Sequence, residues 1–286
     1  MKKEQLLCGN GVSFTVSPVT DSSFSADHPL VVAIHGGTYS GKYFDLKGHS
    51  LLDRAAMNGI PSAAVDRPHY GSSEGVVSRD GSIESSALAV NKAISELWSE
   101  RTGCAKGVFI VGHSIGGAVS ILLAAMERNW PLLGIAISGI GLRSPNSVVE
   151  QWQGLPPVES IEVPAEAKDF LMYGPEGSYL QSVRALAHEA DSQTPRQELI
   201  DIVFEWPRLL REAAPRVEVP IHYRQPEFDN LWIVDQTEVA AFKAQFTRSS
   251  LVDGKLMRGV GHNIDFHRLG AAFQLEQLSF ALACST

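Results

Sequence analysis

The feature that most narrows what this chain can fold into is a repeated one: a short unbroken apolar run that stops at a loop rich in Gly, Pro or Ser. Val31-Val32-Ala33-Ile34 stops at His35-Gly36-Gly37, and Ser62-Ala63-Ala64-Val65 stops at Asp66-Arg67-Pro68. Val108-Phe109-Ile110-Val111 stops at Gly112, and Gly134-Ile135-Ala136-Ile137 at Ser138-Gly139. Runs this short, without polar alternation, suit strands covered on both faces by helices. Helical spacing fills two of the gaps, at 83–98, where Ala87, Leu88, Ile94 and Leu97 recur, and at 115–128. Strands alternating with helices predict an α/β chain on a mostly parallel sheet. Val12-Ser13-Phe14-Thr15-Val16 differs, since its period of two predicts an antiparallel edge strand or hairpin arm.

Over residues 142–215 the strand signal lapses, and helix-compatible stretches follow at 165–172, 178–190 and 196–212. This predicts a helical cap of residues 142–215 over the loop end of the sheet, inserted into one core of residues 1–141 and 216–286. Strand character returns at Val219-Pro220-Ile221-His222-Tyr223 and near Leu256-Met257-Arg258-Gly259-Val260. An amphipathic stretch at 266–283 predicts a terminal helix.

Charge and composition exclude several function classes. With 24 Lys and Arg against 32 Asp and Glu, a net charge of −8 and no basic stripe, nucleic acid is not an expected partner. No apolar run is long enough to span a bilayer, and no apolar segment follows the basic start, so neither a membrane nor a secretory signal is expected. Cys8, Cys104 and Cys284 are scattered and form no C-x-x-C pair, which predicts neither a disulfide framework nor a zinc site, and a cytoplasmic setting. There is no H-E-x-x-H, so no metal is expected, and oligomeric state has no sequence signal.

The chemistry centres on Gly112-His113-Ser114-Ile115-Gly116-Gly117, where the run at 108–111 gives way to a helix. G-x-S-x-G between a strand and a helix forms a turn so tight that its flanking positions must be small, and it lifts the serine hydroxyl clear of the strand end. The helix that follows aims its first amides at developing negative charge. The alternative is a serine that merely caps the helix. A serine needs a base and an acid to become nucleophilic. His262, in Gly259-Val260-Gly261-His262-Asn263-Ile264-Asp265 after the last predicted strand, is the candidate base. His267, placed in the predicted terminal helix, and His113, inside the turn, are the alternatives. Beyond Pro220-Ile221-His222-Tyr223, Glu227 and Asp229 both offer a carboxylate. Asp235 reads as a helix start, and Asp265 as a residue that orders the His loop.

With these residues in order, the chain resembles the α/β-hydrolase superfamily over nearly its whole length. The match rests on His35-Gly36-Gly37, Asp66-Arg67-Pro68-His69-Tyr70-Gly71-Ser72-Ser73, the Ser114 turn, Asp229 and His262. The resemblance implies an eight-stranded, mostly parallel sheet with a helical cap after the sixth strand. It also implies cofactor-free hydrolysis of an ester, thioester, amide or carbon–carbon bond. Asp229 is preferred as the acid because the stretch from Pro220 to Asp229 resembles the family's penultimate-strand segment, although Gln225-Pro226 stands where a Gly is common. The oxyanion donors implied are the Ile115 and Gly37 N–H groups, with Thr38 as the reserve for Gly37. Residues 66–73 resemble the turn after the fourth strand that shapes the pocket wall. A serine at the nucleophile position separates the chain from epoxide hydrolases and dehalogenases.

The expected reaction is hydrolysis of an ester or thioester of a small hydrophobic or aromatic acyl group through an acyl-enzyme. Carbon–carbon hydrolysis, acyl transfer on the same triad, and ligand binding without turnover are the alternatives. Trp152, Phe170, Tyr173, Tyr179, Phe204 and Trp206 suit either an aromatic pocket or the cap's own small core. Arg67 and Arg143 fall near the loop end without a readable role.

Overall fold

In the computed structural model, which describes residues 3–17, 25–76, 80–101 and 103–286, the four apolar runs become neighbouring strands of one eight-stranded sheet. The hairpin β1 (Glu4–Leu7) and β2 (Ser13–Val16) is antiparallel, and β2 runs antiparallel to the strand beside it. The next four strands, β3 (Leu30–Ile34), β4 (Ser62–Asp66), β5 (Val108–His113) and β6 (Leu132–Ser138), lie parallel in the spatial order β4-β3-β5-β6. Every residue of β3, β4 and β5 is buried, which requires helices over both faces. Each fully buried Val or Ile there contributes about 1.5–3 kcal/mol.

Those helices are α1 (Leu51–Met57), α2 (Ile83–Arg101) and α3 (Ile115–Ala125), with α2 packed on α3. Strand order reverses between β3 and β5: the chain leaves β3 towards β4 and leaves β5 towards β6. The connecting loops diverge there and open a crevice at the carboxyl ends of the strands. The loop at His35-Gly36-Gly37 and the turn at Ser114 flank this crevice.

Between β6 and the next sheet strand run α4 (Asn146–Gln153), β7 (Ser160–Ile161), α5 (Ala165–Met172), α6 (Ser182–Ala187), β8 (Thr194–Pro195), α7 (Arg196–Phe204) and α8 (Trp206–Ala213). Helix α5 has the predicted bounds. The predicted helix at 178–190 shortens to α6 and a 3-10 turn at His188–Ala190. The helix expected over 196–212 breaks at Glu205, because Pro207 has no N–H to give to the preceding turn and is accommodated only in the first turn of a new helix. The ribbon of β7 with β8, and helix α4, lie where no strand or helix was expected. Helix α8 buries Trp206, Leu209, Leu210 and Ala213, a stripe at helical spacing, and packs on α3.

The sheet is completed by β9 (Ile221–Phe228), parallel to β6, and β10 (Val252–Gly261), with α9 (Gln236–Lys243) between them. Asp235 starts α9 as expected, its carboxylate accepting from Glu238 N at 2.7 Å. Strand β9 runs past Tyr223 to Phe228, so Glu227 is a strand residue and Asp229 the first beyond it. The terminal helix α10 (Gly270–Ala283) starts four residues later than expected, because a 3-10 turn at Ile264–Phe266 intervenes. His267 is therefore in a loop and not in the helix. Among the described residues, no helix is long and apolar enough to cross a membrane.

Candidate active site

Ser114 joins β5 to α3 with φ 56° and ψ −125°, outside the left-handed well that short polar residues tolerate. The turn is held from three directions. Ser114 N donates to Ser138 O at 2.8 Å, and Ser114 O accepts from Gly117 N at 2.8 Å and Ala118 N at 3.2 Å. The flanking glycines follow from close approach. A Cβ on Gly112 would lie 2.1 Å from Ser120 Oγ, and one on Gly116 would lie 2.1 Å from Ile34 O. Ser114 is half-buried, whereas Gly112, His113, Ile115 and Gly116 are buried, so the turn exposes the serine alone among its neighbours. Its side chain makes no cap bond to the helix, unlike a capping serine.

His262 follows β10, whose register slips between Met257 and Gly261, and its Nδ1 lies 2.8 Å from Asp229 Oδ2. Both residues are buried. Asp229 Oδ2 also accepts from Gln225 Nε2 at 3.2 Å, and Oδ1 accepts from Leu231 N at 3.0 Å. Gln225, the departure from the family pattern, is thus a partner of the carboxylate. Glu227 turns away and accepts from Gly259 N at 2.8 Å. His262 Nε2 is buried and has no hydrogen-bond partner among the described residues.

The two other candidate histidines have different surroundings, although His113 Nε2 is also buried without a hydrogen-bond partner among the described residues. His267 Nε2 faces Gly261 N at 2.9 Å and Gly174 N at 3.2 Å, while its Nδ1 faces Asn263 O at 2.8 Å. That pattern needs a neutral ring, and burial pushes its pKa down. The His113 ring lies 4.8 Å from that of His262 and stacks on Tyr43 at 5.0 Å. Burial, and then the charge of His262, hold His113 well below the usual histidine range, so a neutral ring flanks His262. Asp265 accepts from Tyr43 Oη at 3.0 Å and Gln274 Nε2 at 2.6 Å, bracing the His loop as expected.

Gly37 and Ile115 border the same cavity as Ser114. The Thr38 amide, the reserve donor, is instead bonded to Thr194 Oγ1 at 2.6 Å. Ser40 N donates to Ala190 O at 2.8 Å, and Ser192 N to Thr38 O at 3.0 Å, so the loop after β3 is stitched to the segment before β8. Lys168 of α5 is buried against this seam. Its Nζ bonds Thr38 O, pairs with Asp191 and lies 3.6 Å from the Tyr39 ring centre. Burial pushes its pKa down to about 8, against the pull of Asp191.

The cavity at Ser114 measures about 50 Å³. Its walls come from α4 (Val148, Trp152), α5 (Leu171, Met172) and α7 (Leu199, Ile202), with Leu231 and Trp232 from the loop after Asp229. Of the six aromatic residues read from the insertion, only Trp152 lines it. Trp206 is fully buried and gives its Nε1 to Gly141 O at 2.9 Å, Tyr173 and Tyr179 pair with rings 4.7 Å apart, and Phe170 is 73% exposed. The wall is mainly aliphatic because the other aromatics lie elsewhere: Trp206 against α3, Tyr173 and Tyr179 against His267, and Phe170 and Phe204 at the surface. Residues 66–73 line no part of this cavity; they contribute Arg67 and Asp66 behind the loop after β3. Arg143 is exposed and pairs with Glu238. One described cluster has ligand spacing for a metal, His222, Asp253 and Glu276, but Arg224 already pairs with both carboxylates there.

Arg67, Glu198, Thr194, Lys168 and Gln225 were not read as site residues from the sequence. Gln225 stood out as an oddity in a family segment and Arg67 lay in the segment 66–73 that carries the resemblance; Glu198, Thr194 and Lys168 matter through contacts across long stretches of chain.

A model of the alpha/beta hydrolase family matches residues 31–272. No curated protein sequence matches the chain. Similar solved structures include a malate-bound thermophilic esterase from Thermogutta terrifontis, at 15% identity over 100% of both chains with a TM-score of 0.69. An esterase from Exiguobacterium antarcticum matches at 14% identity over 97% of this chain and 98% of its own, with a TM-score of 0.69. The N-acyl homoserine lactonase AidH, solved with N-hexanoyl homoserine lactone, matches at 15% identity over 99% and 98%, with a TM-score of 0.63. At these identities the likeness to the solved structures is one of fold.

Proposed function

Because this chain belongs to the alpha/beta hydrolase family, we propose that it is a serine hydrolase cleaving esters of small aliphatic acyl groups through an acyl-enzyme. The observation that carries this reading is Ser114, held in a strained backbone conformation at the floor of an apolar cavity. Ser114 Oγ attacks the carbonyl carbon as His262 Nε2 takes its proton. Asp229 holds the Nδ1 proton and offsets the imidazolium charge. The unpartnered His262 Nε2 fits a base whose partner is a reacting group, since catalytic hydrogen bonds often form only with substrate bound. Ile115 and Gly37 N–H groups receive the oxyanion. Protonated His262 then gives its proton to the leaving oxygen, and water, deprotonated by the same ring, releases the acid.

Residues 142–215 act as the cap, supplying the walls that select the acyl group. A narrow aliphatic slot supports a slim acyl chain over an aromatic one. Hydrolysis of p-nitrophenyl esters by wild type and Ser114→Ala tests the reading. Turnover should vanish in a folded Ser114→Ala protein and fluorophosphonate labelling should be lost with it; near-wild-type turnover by that variant would remove Ser114 from the reaction.

A further inference from the structure

The peptide unit that carries the Gly37 N–H also carries the Gly36 carbonyl, and that carbonyl is held by a buried cation. Arg67 Nη2 donates to Gly36 O at 3.0 Å, and Arg67 Nε donates to His35 O at 3.1 Å. The other arm of the guanidinium, Nη1, donates to Ser86 Oγ at 3.1 Å and pairs with Glu198. His35 Nδ1 lies 2.7 Å from the same Gly36 oxygen. A peptide unit is planar, so fixing its oxygen fixes the direction of its N–H. A cation on the oxygen also polarises the unit and makes the N–H a stronger donor.

Glu198 comes from the first turn of α7, in the insertion, and is 1% exposed. Its second oxygen accepts from Tyr70 Oη at 2.6 Å, and the Tyr70 ring centre lies 4.6 Å from the guanidinium carbon. The charge of Arg67 is thereby compensated, and its orientation held, by a residue 131 positions away. Stability alone gives little reason for this arrangement, because a buried ion pair gains little over a well-packed apolar pair. The rigid guanidinium fork serves two backbone carbonyls, the Ser86 hydroxyl and a carboxylate at once, one acceptor more than the three N–H groups of a lysine can.

Resting on the reading of Gly37 as an oxyanion donor, we infer that Arg67, locked by Glu198 of α7, is the positioning residue that aims the Gly37 N–H, so that the oxyanion hole is complete only when α7 is seated. Tethering alone would act on stability and substrate binding; aiming acts on the transition state. The two roles therefore separate in kcat, KM and the affinity for a tetrahedral adduct.

The test compares wild type, Arg67→Met/Glu198→Met and Glu198→Gln on p-nitrophenyl butyrate, with an alkyl boronic acid as the tetrahedral probe. The double variant leaves no uncompensated buried charge. In it, kcat should fall by roughly 10²-fold, near the effect of losing one oxyanion donor, while KM stays within about twofold. Boronate affinity should fall by the same factor as kcat. A folded double variant with wild-type kcat and boronate affinity, or a loss confined to KM, overturns the inference. Glu198→Gln keeps the shape and the contact with Tyr70 and serves if the double variant does not fold; a parallel, smaller fall in kcat and boronate affinity supports the aiming role, and no change in either overturns it. Full activity in Ser114→Ala would instead sink the serine-hydrolase reading itself, whereas an inactive Ser114→Ala beside fully active Arg67 and Glu198 variants sinks only this inference.

Discussion

Replacing Ser114 by glycine should make the protein more stable than replacing it by alanine, although both variants lose the nucleophile. Alanine keeps a Cβ and with it the strain of φ 56° and ψ −125°, which costs about 1–3 kcal/mol for a residue held outside its allowed wells. Glycine relieves that strain but gives the unfolded chain more freedom, which costs roughly 0.5–1 kcal/mol. The bonds from Ser114 N to Ser138 O and from Gly117 N to Ser114 O survive in both, so the difference isolates the backbone term. The balance favours glycine by about 1 kcal/mol. With an unfolding entropy of about 0.6 kcal/mol/K for 286 residues, glycine should melt about 2 °C above alanine. Calorimetry of the two purified variants in one buffer reads this difference directly. If Ser114→Gly melts at or below Ser114→Ala, the turn stores no strain and the argument from the elbow geometry fails.

Asp229→Asn should lower kcat by about 10⁴, as expected when the base loses its orienting carboxylate, while Glu227→Gln stays near wild type; the reverse result in steady-state assays would move the acid to Glu227. Shortening the slot wall by Ile202→Ala should shift the preferred p-nitrophenyl ester to a longer acyl chain, since each further buried methylene is worth about 0.8 kcal/mol; an unchanged chain-length profile would mean that the acyl group binds elsewhere. Lys168 should lose its proton near pH 8 in the folded protein, well below its ordinary 10.5. Between those values the unfolded chain holds the extra proton, so this group's contribution to stability rises with pH and is lost as pH falls through about 8. The slope of Tm against pH above 8 should therefore be smaller in Lys168→Met than in wild type; equal slopes would show that Lys168 titrates normally.

Strands β3, β4 and β5 were legible because each is built on a short apolar run, a pattern that burial on both faces dictates locally. The Ser114 turn was legible for a related reason: the contacts a Cβ would make at Gly112 and Gly116 restrict those positions to glycine, and this leaves a signature five residues long. Strand β1 and helix α4 carried no comparable mark, since β1 is mostly exposed and α4 buries only Val148 and Trp152. The expected starts of the helices at 178 and 266 failed where loops took over the backbone hydrogen bonds, a largely exposed one at residues 178–181 and a buried one around Asn263 and His267.

By itself, then, the sequence determined the parallel sheet and the nucleophile candidate, because each leaves its mark on residues close together along the chain. Only the tertiary structure gives the two carboxylates different surroundings, with Asp229 Oδ2 2.8 Å from His262 Nδ1 and Glu227 turned onto Gly259 N. It also decided that the slot is aliphatic and that the loop after β3 is braced by Arg67, Glu198, Thr194 and Lys168. Those contacts join groups 31 to 156 residues apart, and their energies depend on burial and distance, which exist only once the chain has folded.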